Sequence, residues 1–196
     1  MKKIIVLFIN LFIIQLMAAQ EAQLPLKEIP TAPDTFSSGN MVARMIEGLG
    51  FRYYWASKDL KEEDLAYKPS DDARNIMETL QHIYGLTNVI KNGPTSTANG
   101  RGEDLSKYSY GELRKMTLDN LNEAALLMRD KTSDDVANMK VVFDRGGQTS
   151  EFPFWNMING PIADAIYHTG QVVTMRRSNG NPINPKISVF TGKVRE

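Results

Sequence analysis

The chain has 196 residues, with 23 Lys and Arg against 23 Asp and Glu, two His and no Cys. That balance leaves no basic excess or stripe, so there is no electrostatic footprint for nucleic acid or for an anionic membrane surface. The missing cysteines exclude disulfides, thiolate metal ligands, a thiol nucleophile and a lipidated cysteine near the N-terminus, so any metal must be held by His and carboxylate.

The first segment, MKKIIVLFINLFIIQLMAAQ, has Lys2 and Lys3, an apolar run from Ile4 to Met17 interrupted by Asn10 and Gln15, then Ala18 and Ala19. This is the layout of a secretory signal peptide. The run is shorter than the ~20 apolar residues that span a bilayer. Residues 1–19 are therefore expected to be cleaved, giving a periplasmic or secreted protein with no stable membrane span. Cleavage removes two lysines and leaves 21 basic against 23 acidic side chains. The mature chain, about 175 residues long, suits one domain with a sizeable core.

Residues 20–38 contain three prolines and little periodicity, and read as an extended leader. Val42, Met45, Ile46, Leu49, Tyr53, Ala56 and Leu60 then recur at spacings of three and four, predicting a first amphipathic helix despite Gly48 and Gly50. After KEEDLAYKPSDDA, rich in capping residues, a second helix is predicted from about Ala73, with the stripe Ile76, Leu80, Ile83, Thr87 and Ile90 and a stop at Asn92 to Pro94. Thr95 to Lys107 is a long polar stretch that reads as a solvated loop.

A third helix is predicted over Tyr110 to Lys131, burying Leu113, Met116, Thr117, Leu121, Ala124 and Met128. Two short β-prone runs around DRGG, within Met139 to Pro153, suggest a hairpin or an ordered loop. The fourth helix runs to about Ser178, with Pro161 either in its first turn after an Asn159 cap or kinking a helix begun near Phe154. Residues 179–196 form a Pro- and Gly-rich tail. The fold class is thus all-α, an antiparallel four-helix bundle over residues 39–178, with a short hairpin or loop insertion before helix four.

On the fourth helix Asp164, His168 and Gln171 share a side distinct from the stripe of Ile158, Ile162, Ala165, Ile166, Val172 and Val173. They line up with Met175, and with Met157 if the helix continues through Pro161, which predicts that this polar face looks inward. A carboxylate and an imidazole at i, i+4 can both reach one ion. His82, on the second helix, lies about 100° from the centre of its apolar stripe, with Glu78 one turn earlier. Both histidines therefore follow an acid by four residues. Glu78 is a candidate ligand, partner of His82 or base, although a surface acid reads the same way. Arg176 and Arg177 are placed to complement the C-terminal dipole of the fourth helix.

The segments ETLQHIYG and DAIYHTGQVVTMRR, with the approach YKPSDDARNIMETLQH, resemble the DinB-like superfamily of four-helix bundles over roughly Met41 to Ser178. That resemblance implies a divalent metal site, Zn, Ni, Mn or Fe, with one His from the second helix and a His-x-x-x-His pair on the fourth. His82 matches the first position and His168 the last, while Asp164 stands where the family usually has a histidine. Two imidazoles and one carboxylate still form a three-ligand site with open positions. The implied ligands are His82, Asp164 and His168, with Gln171 and Glu78 as candidate catalytic groups that orient water or act as base.

Two functions follow as expectations. One is an exported metal-dependent hydrolase or thiol transferase acting on a small molecule; export disfavours the thiol chemistry, whose cosubstrates are chiefly cytosolic. The other is a non-catalytic helical-bundle binding protein in which the metal site is degenerate or structural. Relatives of this type often pair into dimers, so a homodimer is compatible with the resemblance.

Overall fold

The computed structural model describes residue 21 and residues 23–196; the expected signal peptide lies outside them. Four long helices dominate: α1 (Ser38–Ser57), α2 (Ile76–Asn92), α3 (Tyr110–Met128) and α4 (Ala163–Ser178). Each of the first three begins on a side chain that satisfies an otherwise orphaned backbone N–H. Ser37 accepts from the amide of Asn40 at the start of α1. Asn75 with Glu78 and Ser109 with Glu112 form reciprocal capping boxes at α2 and α3.

The helices pack in a cycle, α1 and α2 each lying against both α3 and α4. Leu49 and Tyr53 of α1, Leu80 and Ile83 of α2, Leu121 of α3 and Val172 of α4 are fully buried between them. The predicted stripe of α2 is buried throughout. Two predicted core positions lie elsewhere: Met45 is exposed and Met116 only half-buried. The stripe on α1 drifts there because the buried face also takes in Glu47, which is paired with Arg44 and Arg129.

The expected hairpin is present. β2 (Lys140–Asp144) pairs antiparallel with β3 (Thr149–Pro153) through a turn in which Gly146 and Gly147 take positive φ, a region that L side chains resist. The polar stretch before α3 is more than a solvated loop, since β1 (Ala98–Asn99) adds to β2 in parallel. Asn99 is buried there, and its amide donates to the Val142 carbonyl at 2.9 Å. The chain is therefore mostly helical, with a three-stranded sheet attached.

The leader and the tail pack together across α1. The tail folds into a small hairpin, β4 (Ile187–Ser188) with β5 (Lys193–Val194). The Ile29 amide donates to the Gly192 carbonyl at 2.9 Å, and Trp55 Nε1 donates to the Lys27 carbonyl. Leu26 fills the space that Gly50 leaves, where a Cβ would overlap it. No helix among the described residues is long and apolar enough to cross a membrane.

Candidate metal centre

α4 does not begin abruptly. A short turn, Trp155–Met157, leads through a five-residue π-type segment, Ile158–Ile162, into it. Pro161 has no N–H to donate and its ring would collide with the carbonyl four residues back in a regular helix. The wider turn accommodates it, with Gly160 at φ −96° and ψ −105°, outside helical values. Of the two sequence readings of Pro161, the kinked continuous helix is the one observed. Met157 and Met175 are both buried, while Asp164 on the same face keeps its side chain 42% exposed, so that face looks inward only in part.

Asp164 emerges immediately after the π turn, and His168 follows one α-helical turn later. Across the α2–α4 contact His82 meets them. His82 Nε2 lies 3.4 Å from Asp164 Oδ2, and His168 Nε2 lies 3.3 Å from Asp164 Oδ1. The imidazoles stand edge to face, with ring centroids 4.5 Å apart at 89°. One donor atom from each residue falls within 4.8 Å of the others. Among the described residues these three are the cluster of His, Asp and Glu able to hold an ion.

The donor set fits a metal. Two ligand atoms each about 2.0–2.1 Å from a tetrahedral ion are separated by roughly 3.3–3.4 Å. The two imidazole–carboxylate separations are close to that edge, each ending on a different oxygen of Asp164, and both exceed the ~2.7–2.9 Å of a charge-assisted N–H···O⁻ bond. The arrangement suits a shared ion as well as an imidazole–carboxylate pair. His168 Nδ1 lies 2.7 Å from Gln171 Oε1. An amide oxygen only accepts, so Nδ1 carries a proton and directs Nε2 toward Asp164 as the atom available to a metal.

The surroundings of His82 disfavour its charged form, which cannot bind a metal. Burial lowers its pKa below the usual 6.5, the nearby charge of Arg74 and the His168 ring lower it further, and Asp164 opposes them. His168 is the most enclosed of the three, its side chain 12% exposed against 32% for His82 and 42% for Asp164. The centre is thus rooted in the α2–α4 interface and open on the Asp164 side.

The other sequence candidates have different surroundings. Glu78 is exposed and its carboxylate accepts from the Asn75 amide at 2.8 Å, closing the α2 cap. Gln171 orients the His168 ring. Arg176 is not a solvent-facing partner of its own helix dipole as its position suggested. It is buried and donates to carbonyls at the end of α1 and to Asn181. Arg74 was not singled out from sequence, since it sits in the loop before the α2 cap where no periodicity marks it.

No protein-family model and no curated protein matches the chain. Among solved structures it is similar to the 2.30 Å crystal structure of a DinB-like protein, YjoA from Bacillus subtilis, with a TM-score of 0.53. The alignment covers 78% of this chain and 99% of that one at 12% identity. The fold is DinB-like. At that identity the likeness speaks for the DinB-like architecture and not for the chemistry, which has to be read from the side chains of the centre itself.

Proposed function

We propose that the chain is an exported DinB-like protein, its four long helices an antiparallel bundle, that holds a divalent ion on His82, Asp164 and His168 and acts as a metal-dependent hydrolase on a small molecule. The observation that carries this reading is the convergence of two imidazole Nε2 atoms on the two oxygens of Asp164, at 3.4 and 3.3 Å. Bound Zn²⁺, Ni²⁺, Mn²⁺ or Fe²⁺ would supply Lewis acidity and lower the pKa of water at the open side.

The chain's own residues have separable tasks. Gln171 fixes the His168 tautomer, and burial disfavours the charged form of His82. Asp164 offsets one unit of the ion's charge. Hydrolysis is favoured over thiol transfer because an exported protein leaves the cytosolic thiol pool. The alternative, a binding protein with a structural ion, draws support from Glu78 being occupied in the helix cap, which leaves no second acid in the cluster among the described residues.

The test is elemental analysis of protein lacking residues 1–19 and purified without chelator, beside the Asp164→Ala variant. Near-stoichiometric metal that falls in the variant is the expected result. A metal-free protein that also refuses reconstitution refutes the site and leaves a polar helix interface in its place.

A further inference from the structure

Beside His168, between α4 and the start of α2 with its preceding loop, lies a cleft of about 890 Å³, within the range of small-molecule sites. Its wall includes Arg74, Tyr167, His168, Gln171, Thr174 and Met175. The cleft therefore shares His168 and Gln171 with the candidate centre, and a molecule lying in it has one end at the ion-binding imidazole.

Arg74 is the cationic group of this wall. It is exposed, and among the described residues it enters no ion pair, although acids are plentiful in the same loop. It lines the same cleft as His168, which places it beside the centre. A guanidinium presents a planar fork of donors that matches a carboxylate. Asp72, on the same wall, repels a second negative charge and so selects against dianions such as phosphate. Tyr167 is 63% exposed, and its ring, with Met175, offers an apolar surface beside the cation. Gly170 adds no side chain to the cleft and has open space where a Cβ would be.

We infer that Arg74 is the recognition residue for a substrate bearing a single carboxylate on an apolar body, which it holds in the cleft beside His168. The inference rests on the proposed metal centre for the purpose of this binding, while the binding itself depends on Arg74 and the cleft wall and not on the ion. Arg74 is a positioning residue, set to present the substrate to the centre.

The test uses 3-phenylpropionate as probe and the uncharged 3-phenylpropanol as control, titrated into the metal-free chain while the NMR signals of Tyr167 and Gln171 are followed. The acid should shift both signals and the alcohol neither. Arg74→Met should weaken the acid roughly ten- to hundredfold, the loss of a charge-assisted contact, and Arg74→Lys should recover part of it. Zn²⁺ should still bind Arg74→Met at the parent's stoichiometry, since Arg74 supplies no ligand atom. Equal binding of acid and alcohol, or acid binding unchanged in Arg74→Met, would overturn the inference even if Zn²⁺ binds. Arg74-dependent acid binding in a chain that takes up no Zn²⁺ would sustain carboxylate recognition and sink the metal reading instead.

Discussion

Replacing Arg176 by Met should cost the protein about 4 kcal/mol, although the residue lies outside the proposed metal centre. The guanidinium is 3% exposed and donates to the carbonyls of Trp55, Ala56 and Lys58 at 3.1, 2.9 and 2.9 Å. It also donates to Asn181, at 2.7 Å to the carbonyl and 2.9 Å to the side-chain oxygen. The first three acceptors are orphan carbonyls at the end of α1, which a helix cannot satisfy internally. Methionine keeps the apolar stem and leaves these acceptors without a donor. Removing one partner of a buried charged network costs about 3–5 kcal/mol, less than the sum of its bonds because the guanidinium's own desolvation is relieved. For a domain of this size each kcal/mol moves Tm by about 2–4 °C, so the loss should be roughly 8–16 °C. Thermal unfolding followed by circular dichroism measures it, with Arg176→Lys as an intermediate case. A fall of less than about 3 °C would show that water takes over the carbonyls and that Arg176 does not join α4 to α1.

Two further outcomes bear on the centre. Gln171→Leu removes the acceptor at His168 Nδ1 and should weaken metal binding by about 10- to 100-fold, as loss of an orienting partner does elsewhere; Gln171→Glu should restore it, and an unchanged Kd in a chelator-competition titration for the Leu variant would dismiss this role. In the metal-free chain, His82 should titrate below 6.5 by NMR, because burial first and then Arg74 and His168 disfavour its charged form. Between its folded value and 6.5 the unfolded chain binds more protons, so this contribution to stability is complete above 6.5 and is lost as pH falls through the folded value. Metal affinity should fall over the same window as the imidazole protonates; a His82 midpoint at or above 6.5 would contradict the assigned causes.

The helices were legible because their burial is periodic. Ile76, Leu80, Ile83, Thr87 and Ile90 repeat at helical spacing, and all five are buried. The meeting of the three side chains was legible for a related reason: Asp164 and His168 share a face by arithmetic, and His82 sits at the flank of its stripe, where a neighbouring helix reaches it. What resisted reading depends on distant partners. β1 is two residues long and exists through its pairing with Val142 and Phe143 far along the chain. Arg176 looked like a dipole partner because nothing local reveals that the end of α1 lies over it. Met45 belonged to the stripe by spacing, but the buried ion pairs of Glu47 rotate the packed face away from it. Glu78 satisfied both a ligand pattern and a capping box, and the cap, needing only adjacent backbone, is where the carboxylate is found.

The departure at Asp164 and the cation at Arg74 have a common electrostatic logic. In the resemblance, the position of Asp164 is usually a histidine, and three neutral imidazoles leave a divalent ion with its full charge. A carboxylate there halves it, and in a partly desolvated centre that difference weighs heavily, because each unit charge interacts several-fold more strongly than in water. With an ion held by His82, Asp164 and His168, a single further negative charge brings the centre to neutrality, whereas a dianion overshoots. Arg74 carries the one charge that the substrate's single carboxylate needs, and Asp72 disfavours a second. Asp164 and Arg74 would thus set the same preference at two points, one in the centre and one on the cleft wall. It follows that Asp164→His should shift the centre toward more highly charged ligands without altering which end of the cleft the Arg74-bound carboxylate occupies.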